Sequence, residues 1–128
     1  MNNSKLKIFI FLILAFSFTL LVFSLWRRQD VQASPLDEFA RCLRDKNVVM
    51  YGAEWCPHCQ NQKKMFGDAF KFINYVECPK DPQRCLAVGI NGYPTWVMPN
   101  GGKLVGEQKL ETLSQKTNCP LPIEAKPQ

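Results

Sequence analysis

Cys56-Pro57-His58-Cys59 directly follows the run Val48-Val49-Met50-Tyr51-Gly52-Ala53-Glu54-Trp55, and this junction constrains the fold more than any other stretch of the chain. The run reads as a buried strand leaving a core. Pro57 marks the first turn of a helix, where the N–H it lacks is not needed and its fixed φ is already helical. Cys56 then sits at a helix N-terminus, whose free N–H groups and dipole favour a thiolate. Two thiols at this spacing can close into a small exchangeable disulfide. Strand, Cys-x-x-Cys and helix is the arrangement of a redox dithiol. The predicted chemistry is thiol–disulfide exchange, with the redox-active disulfide itself and no further cofactor.

The chain of 128 residues holds six cysteines, a density that suggests an oxidising compartment. With Cys56 and Cys59 as one pair, Cys42, Cys78, Cys85 and Cys119 allow three connectivities. Cys78 and Cys85 bracket a short loop containing Pro79 and Pro82, so their union is the easiest to close. Cys42 and Cys119 then pair by elimination, tying the first helix of the domain to its last. Free thiols packed as small hydrophobes are the alternative for these two.

The net charge of +5 is no nucleic-acid signal. Between Pro35 and Leu121 there are 11 Lys/Arg against 9 Asp/Glu, and the rest of the excess lies at the ends, in Lys5, Lys7, Arg27, Arg28 and Lys126. Charge flanking an apolar segment anchors it at lipid headgroups and forms no phosphate-tracking face.

That segment is Ile8 to Trp26, 19 residues without a charge, Gly or Pro. As a helix it would span about 28 Å, near the hydrocarbon thickness of a bilayer. Trp26 falls where an interfacial aromatic belongs. A cleaved signal is the alternative, because Val31-Gln32-Ala33 offers small residues for a peptidase, although the apolar run is long for one. Both readings export the domain. The Lys/Arg balance does not set the orientation, since Arg27, Arg28, Arg41, Arg44 and Lys46 follow the span. The cysteines are what place the domain on the oxidising, non-cytoplasmic side, whether periplasm, thylakoid lumen or cell exterior. The expected organisation is a basic N-terminus (1–7), an anchor or signal (8–26), a linker (27–34), one folded domain (35–119) and a disordered Pro-containing tail (120–128).

Within the domain, Ser34-Pro35-Leu36-Asp37 reads as a helix start, with a capping hydroxyl, an early Pro and acids in the first turn. Leu36, Phe39, Ala40 and Leu43 give that helix one apolar face, and Asn47 ends it. A strand over Val48–Tyr51 leads to the helix from Cys56 to about Phe66, capped by Gly67. Phe72–Cys78 reads as a second strand. Asp81-Pro82 opens a short helix closed by Gly89. Thr95–Met98 and Lys103–Gly106 form a hairpin around Pro99-Asn100-Gly101-Gly102. A last helix carries Leu110 and Leu113 and ends near Asn118.

The order α-β-α-β-α-β-β-α, with a dithiol at the first strand-to-helix junction, resembles a thioredoxin-like α/β fold, a central mixed sheet flanked by helices. Trp55-Cys56-Pro57-His58-Cys59 resembles that superfamily's active-site loop, and Gly92-Tyr93-Pro94-Thr95 its cis-proline loop. The first strand of a full thioredoxin is missing, its place taken by the anchor and linker. More narrowly, Tyr51 to Gln60, Phe66-Gly67-Asp68-Ala69-Phe70, Asn74-Tyr75-Val76-Glu77-Cys78 and Gly92 to Trp96 are similar to the thioredoxin-like domain linked to bacterial and plastid vitamin K epoxide reductase homologues. The likeness covers Phe39 to Leu113. It implies a membrane-tethered thiol:disulfide oxidoreductase that oxidises exported cysteine-containing proteins and is recharged by a quinone-coupled membrane oxidase.

Cys56 is expected to be the exposed, exchanging thiol and Cys59 its resolving partner. Pro57 and His58 resemble the dipeptide of strongly oxidising members, His58 stabilising the Cys56 thiolate if charged or within reach of the sulfur. Tyr93 and a cis Pro94 would present backbone to an extended substrate, and Trp55 would shape the surface beside Cys56. Reducing thioredoxins keep a buried carboxylate six residues before the first cysteine. Met50 stands there in this chain, with Glu54 the nearby alternative. A reductase or isomerase of the same fold is the second reading. A copper or zinc carrier using Cys56, His58 and Cys59 is a third, but closed zinc sites favour two close pairs. A tethered binding module with a purely structural disulfide is a fourth. A c-type haem is excluded, because Gln60 and not His follows Cys59.

Overall fold

The computed structural model describes residues 3–26 and 34–123. The chain divides into two units, Met1–Gln32 and Ala33–Gln128. Of the expected linker (27–34), residues 27–33, with Arg27, Arg28 and the Val31-Gln32-Ala33 sequence, lie outside the described residues, as does the expected tail from 124.

The first unit is α1 (Asn3–Trp26), which begins five residues before the apolar run and takes in Lys5 and Lys7. Its stretch Asn3–Ser24 is long and apolar enough to cross a membrane, and a signal sequence has the same character. The three hydroxyl side chains of the apolar run are satisfied inside the helix. Ser17, Thr19 and Ser24 each donate to the carbonyl three residues back, at 2.8 to 2.9 Å. In hydrocarbon an unsatisfied hydroxyl would be costly.

The second unit is built on a sheet ordered β2-β1-β3-β4. Its strands are β1 (Val49–Gly52), β2 (Asn74–Glu77), β3 (Thr95–Val97) and β4 (Lys103–Val105), and the helices are α2 (Asp37–Asp45), α3 (Pro57–Phe66), α4 (Pro82–Ala87) and α5 (Leu110–Thr117). β1 runs parallel to β2 and antiparallel to β3, which is antiparallel to β4. Among the described residues these four strands form the whole sheet, a thioredoxin-like fold without the extra N-terminal strand.

Side chains alternate faces along a strand, and β1 uses both. Met50 joins the main core with Phe39, Leu43, Val48, Phe66, Trp96 and Leu113, whereas Tyr51 packs with Val76, Cys78 and Cys85. This two-sided burial is why β1 reads as a continuous apolar run. The Phe66 ring lies 5.9 Å from Phe39 and 5.8 Å from Trp96. Gln62 is fully buried among them and fully bonded. Its Oε1 accepts from Trp96 Nε1 (3.2 Å) and the Gln108 N–H (2.7 Å), and its Nε2 donates to the Gln108 carbonyl (3.0 Å). That amide fastens α3 to β3 and to the segment before α5.

Cys42 is bonded to Cys119, and Cys78 to Cys85. The first bond closes a sequence separation of 77 and fixes α2 to the chain leaving α5, and the second closes one of 7 between β2 and α4. Lys46 reinforces the same corner, its Nζ donating to the Thr117 carbonyl at the C-terminus of α5, where a cation is favoured.

Two boundaries differ from the sequence expectation. Ser34 does not cap α2: its hydroxyl accepts from the Leu36 N–H (3.3 Å) and its carbonyl from the Asp37 N–H (2.8 Å), so Ser34-Pro35-Leu36 form a turn and the helix begins at Asp37. Residues Gly67–Phe72 coil into a 3-10 turn, which delays β2 to Asn74. Phe70 and Phe72 serve packing there, Phe70 against Tyr75 and Phe72 beneath the Arg41 guanidinium at 3.5 Å. Gly67, at φ 54°, makes the bend after α3, a conformation that other residues rarely adopt.

Candidate active site

The inner strand β1 ends at Gly52, and a turn closed by the Cys56 N–H on the Ala53 carbonyl (3.1 Å) leads into α3. Cys56 is the N-cap of that helix and Pro57 its first residue. The Cys59 N–H donates to Cys56 Sγ at 3.3 Å, so one unpaired N–H of the helix end is aimed at the sulfur, as a capping oxygen would receive it. Both cysteines are free thiols and both are buried, Cys59 at 0% exposure and Cys56, expected to be exposed, at 5%, because the cis-proline loop covers it. Burial, helped by the hydrogen bond with Cys56, pushes the Cys59 thiol up to about 12, against the opposing pull of the Ala53 backbone and Lys63.

The loop Gly92–Thr95 faces this dithiol. Its Tyr93–Pro94 peptide bond is cis. The Tyr93 carbonyl lies 3.8 Å from Cys56 Sγ and accepts from it. The loop is braced by Thr95 Oγ1 donating to the Gly92 carbonyl (2.8 Å) and by the Gly106 N–H donating to the Pro94 carbonyl (2.7 Å). Trp55, 72% exposed, stands edge-on to Tyr93 with ring centroids 6.0 Å apart. Cys56, Cys59, Pro57, Trp55, Tyr93 and Pro94 are thus gathered at one place.

His58 is placed differently from the expectation. Its ring is exposed and its Nδ1 lies 2.7 Å from Glu107 Oε2, which Asn61 Nδ2 also approaches at 3.5 Å. The bonded partner of the imidazole is a carboxylate, not the Cys56 sulfur. Glu107 was not legible in the sequence, because it reaches the site from the segment before α5. Cys56, His58 and Cys59 do not converge on a common point for a metal, and no metal-holding group of three or more His, Cys, Asp or Glu occurs among the described residues.

Glu54 is turned to Lys80, at 4.0 Å, and its N–H donates to Glu77 Oε1 at 2.8 Å. Glu77 is the second carboxylate that sequence reasoning passed over. Tyr75 Oη donates to its Oε2 at 2.5 Å. The alternation of Tyr75 and Glu77 along β2 was the available signal, since residues two apart on a strand share a face. Met50, paired across the sheet with Tyr75 and Trp96, is fully buried.

A central mixed sheet with a buried dithiol at a strand-to-helix junction and a cis-proline loop opposite defines a thioredoxin-like protein. A family profile described as Thioredoxin matches residues 30–118, and the chain belongs to that family. It is 41% identical over 91 residues to the thiol-disulfide oxidoreductase LTO1 of Arabidopsis thaliana, covering 64% of this chain and 24% of that protein. It is 34% identical over 94 residues to protein disulfide-isomerase A5 of Mus musculus, covering 62% and 18%. The match therefore spans a quarter or less of these relatives' own length. Among solved structures, mitochondrial thioredoxin 3 of Saccharomyces cerevisiae is similar with a TM-score of 0.44 and 20% identity, covering 65% of this chain and 88% of that one.

Proposed function

We propose that the second unit is a thiol:disulfide oxidoreductase working through Cys56 and Cys59, and that it acts as an oxidase of exported proteins. The observation that carries this reading is the Cys56 sulfur, held at the N-terminus of α3 between the Cys59 N–H and the Tyr93 carbonyl. In the oxidised protein a substrate thiolate attacks Cys56 Sγ. The Cys56–Cys59 bond breaks, its electron pair passes to Cys59, and a mixed disulfide forms. The substrate's second thiolate then attacks its own sulfur and releases Cys56 as a thiolate. Two electrons have moved from substrate to enzyme. The Tyr93 backbone pairs with an extended substrate segment beside Cys56.

Recharging requires a two-electron acceptor, which we assign to a quinone-coupled, vitamin K epoxide reductase-like membrane oxidase. The supports are the similarity of Tyr51 to Gln60 and Asn74 to Cys78 to the domain linked with such enzymes, and the apolar helix α1, which would hold the two partners in one membrane. Two structural disulfides support an oxidising, non-cytoplasmic side for the domain. The His58–Glu107 pair favours a second reading, a reductase or isomerase, because a carboxylate offsets any imidazolium charge beside the thiols. Oxidised protein mixed with a reduced, unfolded disulfide-containing substrate tests the main reading. Stoichiometric substrate oxidation, lost in Cys56→Ser, supports it, and oxidation undiminished in that variant contradicts it.

A further inference from the structure

Each time a thiolate attacks Cys56, Cys59 must leave carrying negative charge, and its surroundings oppose that charge. This inference rests on the exchange chemistry proposed above. The sulfur is fully buried, and Met50, in the strand beneath, adds only apolar bulk. One polar group borders it from β2. An ideal Cβ on Gly52 would lie 2.9 Å from Cys59 Sγ and 3.2 and 3.3 Å from Cε2 and Oη of Tyr75. Glycine therefore leaves open a gap that the thiol and the phenol share. On its other side the Tyr75 hydroxyl donates to Glu77 Oε2 (2.5 Å), and Lys63, one turn beyond Cys59 on α3, holds its Nζ 4.0 Å from the ring centroid.

A phenol has one proton to donate, and its O–H bond rotates to suit the acceptor. In the dithiol the hydroxyl donates to Glu77. When the disulfide breaks, a second anionic acceptor arises at the shared gap. We propose that Tyr75 is a catalytic residue whose hydroxyl turns from Glu77 to the Cys59 sulfur as the disulfide breaks, stabilising the departing thiolate. The substrate–Cys56 bond forms as the Cys56–Cys59 bond breaks, and the bonding pair goes to Cys59. Tyr75 keeps its own proton throughout. The proton that neutralises Cys59 comes from the substrate's second thiol, which loses it in order to attack.

Glu77 competes for the same proton and so restrains the step. Burial works against its ionisation, but donation from Tyr75 and from the Glu54 N–H, with Lys63 and Lys80 nearby, holds it below the usual carboxylate range. The Tyr75 phenol is in turn pushed up, first by burial and then by Glu77, with Cys59 and Cys56 adding to the effect. Cys56, the Ala53 backbone and Lys63 are the groups that act on the Cys59 thiol, Lys63 being the cation among them, and Tyr75 borders it across the gap at Gly52. A thiol leaves faster the lower its pKa.

The test follows the reduction of the oxidised full-length protein by dithiothreitol, with time points quenched by alkylation. Tyr75→Phe keeps the ring against Phe70 and Lys63 and removes only the hydroxyl. It should slow the reaction about tenfold, the loss of a hydrogen bond to a charged group. Glu77→Gln removes the competing charge and should speed it about threefold. Opposite signs are the signature, because a purely structural role would slow both. In Cys56→Ser, the alkylation midpoint of Cys59 should move down with Glu77→Gln and return when Tyr75→Phe is added. Reduction of Tyr75→Phe at the wild-type rate, or slower reduction of Glu77→Gln, overturns the proposal. Exchange that survives Cys56→Ser would instead overturn the function on which it rests.

Discussion

His58 Nδ1 lies 2.7 Å from Glu107 Oε2, across 49 positions of sequence. A side chain that the Cys-x-x-Cys spacing places between two thiols is therefore held by a carboxylate arriving from the far end of the sheet. His58 is the second residue of α3, so the pair lies at the helix end that carries Cys56.

Glu107→Gln removes a negative charge from beside the thiols while leaving His58 in place. The reduced form gains relative to the disulfide, so the reduction potential should rise, by about 10–30 mV. His58→Ala should lower it. Equilibration with a glutathione buffer measures both. A fall in potential on Glu107→Gln would show that Glu107 acts by orienting His58 and not through its charge.

The two cysteines should behave asymmetrically. Cys59→Ser leaves the attacking sulfur intact and removes the one that resolves, so stable mixed disulfides should accumulate with exported thiol proteins. Cys56→Ser should trap none. Non-reducing electrophoresis followed by reduction separates these outcomes.

The buried thiol also has a consequence for stability. Cys59 is raised from 9.0 to about 12 in the folded reduced protein. Above pH 9 the unfolded chain has lost that proton while the folded one keeps it, so the unfolded state binds fewer protons and stability falls as pH rises. The contribution is complete below pH 9 and is lost towards pH 12. The denaturation midpoint of the reduced protein should decline over this range more steeply than that of Cys59→Ala. Parallel declines would contradict the assignment.

The structural disulfides should differ in weight. Chain-entropy arguments give about 4 kcal/mol for a loop of 77 residues and about 2 kcal/mol for one of 7. The double variant Cys42→Ser/Cys119→Ser should therefore lose more stability than Cys78→Ser/Cys85→Ser. Denaturant titration of the two reads the difference directly.

Local punctuation made much of the fold legible. Pro57 and Gly67 bracket α3 as expected, Asp81 caps α4 through the Arg84 N–H, and Asn118 closes α5 in the left-handed conformation. The start of β2 was read too early, at Phe72, because an aromatic residue fits a strand equally well until its packing is known. The partners of the dithiol were hidden for a different reason. Glu107 reaches His58, and Tyr75 reaches the gap at Gly52, only through sheet register and the fastening of the neighbouring Gln108 by Gln62. Such contacts leave no trace in local spacing. The Tyr75–Glu77 alternation was readable as one face of a strand, but not as a face turned towards Cys59.

The reduction potential of the Cys56–Cys59 pair tests the oxidase assignment most directly. The account predicts a value well above that of thioredoxin, about −200 mV or higher, in the range of disulfide-donating proteins. A value near thioredoxin's, about −270 mV, would contradict it and make the protein a reductant.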